Sequence, residues 1–528
     1  MSQTVAVIGG GISGLSAAWE LVSSAPDGTR IVVFEAAARA GGNLRSEIVG
    51  DRRLDVAADA FLARRPEAVE LCAQLGISGD LVTPGTSSAS VWARGALRRL
   101  PDGLVLGVPT RLLPLARSRI VSATGVARAA ADLAVPARRD RSVNPADRSV
   151  GDIVGARLGH QVRDLLAGPL VGGINAGRVD ALSAEVVFPD LLHASRRGGS
   201  LMKALRRGRR PTRAGSGAPT VPPASTGGPP MVRPPTALPL TARPPGEAPV
   251  FLAPSSGMSS LPDALCGALR SKGVDVRTSA PVALLEESGG GWVLAVGAEE
   301  LRADGVVIAL PARPACEVLG KVDAPLARML EGLRAASVAL VVFRFAAHDV
   351  GHDLEGSGFL VPASLGPATW QAAASVTGLV TACTFFSNKW PHLAVPGEVL
   401  LRVSAGRDGD DRAASLDDGE LTRVMLGELD RMIGPLGEPQ QMVVSRFPGS
   451  FPQYDVGHLA RVADIEAEAA RVPALGLAGA AYRGVGVPAC IGSGRRAARL
   501  VAEKLGWPEP RPGPGRPSDA PVTPVAPA

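Results

Sequence analysis

Cysteine is scarce in this chain of 528 residues, which has only five copies spread far apart. They form no C-x-x-C pair and are odd in number, so the sequence predicts neither a disulfide framework nor a metal site. A reducing cytoplasm fits this usage. Long apolar runs are also missing: none approaches the roughly 20 residues that a membrane-spanning helix needs, and the first ten residues lack the features of a secretory signal.

Aromatic residues make up only 4% of the chain and charged residues 20%, whereas apolar residues reach 46%. That balance excludes a wholly disordered protein, and the glycines and prolines lack a collagen period. The net charge is +6, but the arginines are scattered and not interleaved with aromatics, so nucleic-acid binding is not expected. The length exceeds that of a usual single-core domain, so we expect two or more folding units.

The chain opens with a βαβ pattern. Residues 5–8 and 31–34 are β-branched runs typical of buried strands, and the segment between them has helical spacing. The first strand leads into Gly9, Gly11 and Gly14 of a G-x-G-x-x-G turn. In such a turn the first glycine allows the tight bend, the second lets a pyrophosphate approach the helix N-terminus, and the third allows close packing. The pattern predicts a dinucleotide site.

An acidic residue, Glu35, ends the second strand, where a carboxylate accepts hydrogen bonds from ribose hydroxyls. Beyond it lie Arg39, Gly41 and Gly42, with Arg45 following. In flavoproteins an arginine and paired glycines here extend the contact with the diphosphate, and nicotinamide enzymes have no need of them. The sequence therefore favours FAD over NAD.

The other end of the chain repeats this logic. Residues 475–479 read as a last strand, and a helix follows Val485-Gly486-Val487 with Pro488 in its first turn. Free N–H groups at that helix start would stabilise negative charge on a reduced flavin. Both ends of the chain are therefore predicted to bind the same cofactor.

Seven segments together resemble one family. They resemble the bacterial protoporphyrinogen/coproporphyrinogen III oxidases, within the superfamily that also holds amine oxidases and carotenoid desaturases. The segments are GGGISGL at 9–15 with Glu35, ADAFLARRPEAVELCAQLGI at 58–77, LRRLPDG at 97–103, GGINAGRVDALSAEVVFPDL at 172–191, NKWP at 388–391, PQYDVGHL at 452–459 and AYRGVGVPACIGSG at 481–494. The chain departs from the family pattern at Ala57, where glycine is usual, and at Phe447, where tryptophan is common.

The resemblance implies site residues by position. FAD contacts are implied at Gly9, Gly11, Ile12, Ser13, Gly14, Glu35, Arg39, Gly41, Gly42, Arg45, Val282, Val485, Gly486 and Val487, and the tetrapyrrole would lie beside Gly173, Ile174, Asn175, Ala176 and Gly177. No catalytic side chain is implied, because flavin N5 accepts the hydride. Candidates for binding the substrate propionates are Arg64, Arg65, Arg98, Arg99, Arg178 and Lys389. Tyr454, His458 and Tyr482 fall within family motifs, where packing roles are expected.

The implied fold is α/β: a discontinuous Rossmann-like FAD-binding domain with an inserted α+β substrate domain of mixed sheet and helical roof. The FAD-binding domain is assigned to residues 1–80, 250–320 and 446–506, and the substrate domain to 81–205 and 321–445. The Pro/Gly/Arg-rich insertion 206–249 and the tail 507–528 are predicted to be disordered. Residues 104–135 read as the roof of the substrate cavity or as an interfacial helix pair, and we favour the roof.

The implied activity is the six-electron oxidation of coproporphyrinogen III to coproporphyrin III in haem biosynthesis, with dioxygen reduced to hydrogen peroxide. Oxidation of protoporphyrinogen IX is the alternative activity. Two other functions also remain as hypotheses: an amine oxidase or carotenoid desaturase, and a non-catalytic relative that binds no flavin. The arginine-rich composition favours coproporphyrinogen III as the substrate. The implied partners are the porphyrinogen, dioxygen and a downstream ferrochelatase, and peripheral contact with the inner face of the membrane is also allowed.

Overall fold

The structure is a computed structural model that describes residues 3–134, 147–208, 249–363 and 378–508. Most of the predicted insertion, 209–248, and the tail beyond residue 508 lie outside the described residues. Residues 206–208 end a helix, and Trp507 is buried with its indole N–H donating to the side chain of Gln3. The predicted disorder and the predicted domain boundaries stay predictions.

The strands follow the β-branched runs of the sequence. In chain order they are β1 (Thr4–Ile8), β2 (Arg30–Phe34), β3 (Ser46–Val49), β4 (Arg52–Asp55), β5 (Phe61–Leu62), β6 (Leu81–Val82), β7 (Ser90–Ala93), β8 (Ala96–Arg99), β9 (Leu104–Val105), β10 (Val108–Pro109), β11 (Phe251–Pro254), β12 (Asp275–Arg277), β13 (Val282–Ser288), β14 (Gly291–Val296), β15 (Glu299–Ala303), β16 (Gly305–Ile308), β17 (Ala335–Ala346), β18 (Gly358–Leu360), β19 (Val380–Phe385), β20 (Glu398–Ala405), β21 (Gln441–Pro452) and β22 (Leu475–Leu477).

The helices vary from single turns to five turns. They are Ile12–Ser24, Pro66–Gln74, Leu112–Ser118, Ala123–Ala134, Val150–Leu158, His160–Val162, Gly173–Asn175, Ala184–Val187, Pro189–Arg197, Leu201–Gly208, Ser260–Ser271, Ala312–Leu319, Ala324–Glu331, Phe386–Lys389, Arg412–Ser415, Asp418–Ile433, His458–Arg471, Ala480–Arg483 and Val487–Lys504. A π-helix spans Arg163–Gly172, and short 3₁₀ turns lie at Ser78–Asp80, Ala347–Asp349 and Pro391–Leu393.

A five-stranded sheet in the order β12-β2-β1-β16-β22 joins three distant parts of the chain. Every neighbouring pair in it is parallel. Strands of such a sheet are covered on both faces, which explains why the runs that start at Val5 and Ile31 are apolar without alternation. The predicted discontinuous Rossmann-like domain is confirmed.

A second, seven-stranded sheet has the order β21-β17-β20-β19-β18-β7-β8. Its neighbouring strands are antiparallel except for β18 and β7, which are parallel. Helices between residues 112 and 208 form their own apolar core, to which Leu115, Leu166 and Leu191 contribute. The predicted mixed sheet with a helical roof is confirmed. Within the described residues, no helix is both long and apolar enough to cross a bilayer.

The first helix, Ile12–Ser24, and the last described helix, Val487–Lys504, touch at Gly494. A Cβ atom built there would lie 2.0 Å from the carbonyl oxygen of Ser13 and 3.0 Å from the backbone nitrogen of Ala17. No side chain fits at that separation, so the two backbones meet directly. This contact brings the two ends of the chain together.

We expect Gly494→Ala to lower the free energy of unfolding by about 1–3 kcal/mol or more, because its methyl group must force two helices apart. Gly492 lies on the same helix with its nearest atom, Arg496 Nη1, 3.4 Å from the added Cβ. We expect Gly492→Ala to leave stability unchanged or raise it by about 0.5–1 kcal/mol. Thermal unfolding followed by circular dichroism compares the two variants, and equal melting temperatures would contradict this account of the helix contact.

Candidate active site

The glycine-rich turn after β1 contains two glycines that the fold itself requires. A Cβ on Gly14 would lie 1.9 Å from the carbonyl oxygen of Gly9. One on Gly9 would lie 2.5 Å from the carbonyl oxygen of Ala309, and Gly9 has a φ of +106°. These two positions fix the path between strand and helix.

Gly11 differs because the protein leaves room beside it. The nearest atom to an added Cβ is Gly42 Cα, at 4.0 Å. Gly11 is the N-cap of helix Ile12–Ser24, and within the described residues no side chain caps that helix. Its first N–H groups therefore remain available to an anion. The open side at Gly11 fits the close approach of a diphosphate.

The second glycine pair lies over the first turn. Gly41 forms an isolated parallel β-bridge with Gly11, and the N–H of Gly41 donates to the carbonyl oxygen of Gly10 at 2.8 Å. Gly41 and Gly42 have φ values of +117° and +56°, which favour glycine. Arg39 is exposed and donates to the carbonyl oxygen of Leu44 at 3.1 Å.

Glu35 directly follows β2 and is fixed by two backbone donors. Its Oε2 accepts from the N–H of Gly10 and its Oε1 from the N–H of Ala37, both at 2.8 Å. Each oxygen retains a lone pair, so the carboxylate can also accept from ribose hydroxyls. The carbonyl oxygen of Glu35 accepts from Ala280 at 2.9 Å, which brings the start of β13 at Val282 close to this turn.

Three other predicted cofactor residues have different surroundings. Ile12 and Ser13 are buried in the first turn of their helix. Arg45 donates to Glu47 at 2.8 Å, and its guanidinium carbon lies 6.0 Å from the ring centroid of Phe447. Phe447, which replaces the tryptophan of the family pattern, thus contacts a predicted FAD residue.

The turn before the last helix brings Val485, Gly486 and Val487 to a helix start. Gly486 is the N-cap, and no side chain of the described residues caps this helix either. Upstream, the N–H of Gly479 donates to Ser493 Oγ at 3.1 Å, which ties the turn to its own helix. The free N–H groups at Val487 suit negative charge.

Both tyrosines and His458 support this turn by packing and backbone bonds. The Tyr454 hydroxyl donates to the carbonyl oxygen of Ala480 at 2.6 Å, and His458 Nε2 lies 2.8 Å from the carbonyl oxygen of Tyr482. Burial raises the pKa of both tyrosines and lowers the pKa of His458. All three groups are therefore neutral at neutral pH.

A buried cluster of charges connects the loop 55–59 to the seven-stranded sheet. Asp59 accepts from Lys389 Nζ at 2.6 Å and from the Trp390 indole at 3.2 Å, and it lies 3.5 Å from Arg402 Nη2. Arg402 also donates to the carbonyl oxygens of Asp55, at 3.2 Å, and Ala57. Lys389, a candidate for propionate binding, is paired inside the protein.

The two carboxylates of this cluster have opposite pKa shifts. Burial raises the pKa of Asp55 to about 6, although it accepts hydrogen bonds from Ser46 Oγ and the N–H of Met258. Burial alone would also raise the pKa of Asp59, but Lys389 and Arg402 outweigh it and hold that pKa well below its usual range. Asp59 is thus the permanent negative charge of the cluster.

A cavity of about 90 Å³ lies between the π-helix Arg163–Gly172, with the turn that follows it, and the face of the seven-stranded sheet. Leu340 and Ser404, paired across β17 and β20, line its sheet side. The other lining residues are Gly168, Pro169, Gly172, Gly173, Ala176, Gly177, Val338, Val361, Ala363, Thr381, Gly406, Arg407 and Phe451. The cavity is mostly apolar, and its volume suits part of a flat ligand.

The five predicted substrate residues divide into two groups. Gly173, Ala176 and Gly177 line the cavity. Ile174 is 54% exposed, and Asn175 is buried, donating through Nδ2 to the carbonyl oxygen of Val171 at 2.8 Å. The last two shape the turn, and the structure does not bring them to the cavity wall.

The arginines considered for propionate binding do not meet at the cavity. Arg64, Arg65 and Arg99 are exposed, Arg98 donates to the carbonyl oxygen of Ala93, and Arg178 contacts Asp408 at 3.3 Å. The charged residue that lines the cavity is Arg407, which sequence reasoning missed because it lies in no recognised motif. Within the described residues, no group of three or more metal-ligating side chains is found.

Comparison with known proteins identifies the family. A family model described as flavin containing amine oxidoreductase matches residues 12–502. The chain belongs to this family. It is an FAD-dependent oxidoreductase, as the glycine turns and Glu35 predict.

Its relatives match along nearly the whole chain. A coproporphyrinogen III oxidase of Staphylococcus aureus is 29% identical over 96% of this chain and 100% of its own length. One of Propionibacterium freudenreichii is 33% identical over 94% of this chain and 90% of its own length. A crystal structure from Exiguobacterium, provisionally named a protoporphyrinogen oxidase, has a TM-score of 0.78 at 27% identity and covers 96% of this chain and 99% of its own.

We expect Asp59→Asn to destabilise the protein by about 3–5 kcal/mol, because it leaves Lys389 and Arg402 buried without a counter-charge.

We expect Asp55→Asn to stabilise the protein at pH 7.5, since the amide keeps an acceptor for Ser46 and Met258 but does not ionise. Its gain should be on the order of 1–3 kcal/mol.

The pH dependence provides the control for this pair. Because the pKa of folded Asp55 lies above its usual value, its protonated form stabilises the protein fully below about pH 4 and that stability is lost as the pH rises through about 6. Thermal melts of wild type and Asp55→Asn from pH 4 to 8 should therefore diverge with rising pH. Parallel curves would show that Asp55 does not titrate in this window.

Proposed function

We propose that the chain is an FAD-dependent coproporphyrinogen III oxidase of haem biosynthesis. The observation that carries the proposal is the near full-length similarity to bacterial relatives that bear this name, at 29–33% identity. The cavity beside Gly173–Gly177 supports it. That segment belongs to the 172–191 run by which the sequence resembles these oxidases, and an apolar cavity beside it suits one edge of a large, flat macrocycle.

Protoporphyrinogen IX is the alternative substrate. The observation that favours this substrate is the similarity in fold and sequence to the Exiguobacterium protein. The two substrates differ in charge, because coproporphyrinogen III carries four carboxylates and protoporphyrinogen IX two. We prefer coproporphyrinogen III as the substrate because the bacterial relatives cited above are named for it.

We assign FAD to the two helix starts and the turns beside them. The diphosphate would lie at Gly9, Gly11, Ile12, Ser13 and Gly14 under the loop of Arg39, Gly41 and Gly42, and the ribose at Glu35. Val282 and Arg45 flank this part. The isoalloxazine would lie near the helix start at Val485, Gly486 and Val487, with the loop around Ala57, held by Arg402, on another side.

The oxidation needs little acid–base chemistry from the protein. When bound, the flavin supplies the hydride acceptor for a meso carbon of the porphyrinogen. The chain holds the macrocycle in an apolar slot that excludes water, which is catalysis by positioning. The cation left on two pyrroles makes their N–H groups acidic, so no strong base is required. Tyr454 and Tyr482 remain protonated.

The overall reaction consumes three molecules of dioxygen. Coproporphyrinogen III loses six electrons and six protons to give coproporphyrin III, and each dioxygen takes two of each to become hydrogen peroxide. We propose that the product passes to a ferrochelatase.

We also propose that the chain lies in the cytoplasm, where its five unpaired cysteines remain reduced. The exposed Leu113 is available for peripheral contact with the inner membrane face.

Purified protein should be yellow and should oxidise coproporphyrinogen III aerobically. Porphyrin fluorescence and hydrogen peroxide are measured together, with the spontaneous rate of a flavin-free sample subtracted. We expect about three molecules of peroxide per porphyrin, and a higher kcat/KM for coproporphyrinogen III than for protoporphyrinogen IX. A flavin-loaded sample that leaves both substrates at the spontaneous rate would overturn the proposal.

Gly11→Ala separates cofactor binding from folding. We expect it to weaken FAD binding at least about tenfold, because the methyl group occupies the open approach to the helix N-terminus. The apoprotein should keep its circular dichroism and melting temperature, since the nearest atom is 4.0 Å away. The matched control is Gly79→Ala, at an exposed turn where an added Cβ meets nothing within 4 Å. Unchanged FAD affinity in Gly11→Ala would remove Gly11 from the assigned diphosphate site.

A further inference from the structure

Arg407 follows the end of β20 and contributes to the cavity wall. Among the described residues that line this cavity, it is the only charged side chain; the others are apolar or glycine, with the hydroxyls of Thr381 and Ser404. A lone cation in an apolar slot is unusual, because its charge loses hydration there. It calls for a compensating anion.

The acidic neighbours of Arg407 already have partners. Asp408 accepts from Arg334 at 2.7 Å and from Arg178 at 3.3 Å, and Asp410 pairs with Arg412 at 2.7 Å. Glu428, whose charge also acts on Arg407, accepts from the N–H groups of Leu379 at 2.9 Å and Val380 at 2.8 Å. To the described residues, Arg407 makes no side-chain hydrogen bond and no ion pair. Burial lowers the pKa of Arg407 from its usual value, which reflects the same loss of hydration. Its guanidinium fork therefore remains available to a carboxylate.

The position of Arg407 beyond the end of β20 suits an anchor remote from the reacting carbon. Arg402 lies on the same strand and contacts the Ala57 loop, and Ser404 between them lines the cavity. From Arg402 to the strand end at Ala405 the extended chain spans roughly 10 Å, and Gly406, with a φ of +94°, turns it before Arg407. A macrocycle lying along this strand would have its core near the loop and its peripheral carboxylates near Arg407. Coproporphyrinogen III has a propionate on each pyrrole, so every edge could supply one.

We infer that Arg407 binds a carboxylate of the tetrapyrrole and thereby holds the macrocycle in register in the cavity. The inference rests on the proposed function and deepens it by naming a specificity-determining residue. The bound carboxylate neutralises a cation that is otherwise costly to bury, so binding to Arg407 should contribute to substrate affinity more than an exposed arginine would.

The test compares FAD-loaded wild type with Arg407→Gln and Arg407→Lys. The control is Arg423→Gln, which removes one positive charge from an exposed position on helix Asp418–Ile433. Two quantities are measured: KM and kcat for coproporphyrinogen III, and the Kd of coproporphyrin III and of its tetramethyl ester by fluorescence titration. Melting temperatures show whether each variant folds.

We expect Arg407→Gln to raise KM and the Kd of coproporphyrin III at least about tenfold, with kcat changed less than about threefold. Wild type should prefer the free acid over the ester, and Arg407→Gln should lose that preference, with Arg407→Lys intermediate. The melting temperature of Arg407→Gln should be equal to that of wild type or higher, because the substitution removes a half-buried charge that has no hydrogen bond or ion pair to the described residues. The control should match wild type in every measurement.

Wild-type affinity and acid preference in a folded Arg407→Gln would overturn the inference. Failure of wild type to oxidise either porphyrinogen would instead overturn the proposed function. In that case the titrations decide the role of Arg407 by themselves, because they need no turnover.

Discussion

The contact between the first and last helices is the constraint on which the site depends. At Gly494 the helix backbones approach so closely that a single methyl group would overlap the carbonyl oxygen of Ser13. Because both helices start at glycine-rich turns, this contact also fixes the distance between the two turns. FAD has negative charge at its diphosphate and, when reduced, at its ring, so two fixed helix starts match these two parts.

The glycines of the site serve two different requirements. Gly9 and Gly14 are required by the fold, since a side chain at either would overlap backbone atoms. Gly11 has free space around it, so the protein alone gives no reason for a glycine there. The approach of a ligand does give one. The G-x-G-x-x-G motif, which is one pattern in the sequence, therefore contains two glycines that the fold requires and one that ligand binding requires.

Local patterns predicted much of the fold, whereas distant pairings could not be predicted. Apolar runs identify β1, β2, β16, β17 and β20. Of the segment that the family resemblance singles out, Gly173, Ala176 and Gly177 line the cavity. The Asp59–Lys389 pair joins residues 330 positions apart, and no periodicity connects them. Ile174 and Arg407 show the same limit: side-chain direction depends on the turn around Ala176 and on the packing of the sheet against the roof.

The cavity and its surroundings divide the chemistry in a consistent way. Groups that could act as bases near the cofactor turn are buried: burial raises the pKa of both tyrosines and lowers the pKa of His458. Asp59 pairs with both Lys389 and Arg402 beside the loop that includes Ala57, so these charges are directed at one another. Of the described residues that line the cavity, Arg407 is the one with a charged side chain. A substrate that needs orientation and a dry environment, and whose own N–H groups release the protons, is the kind that such a site serves.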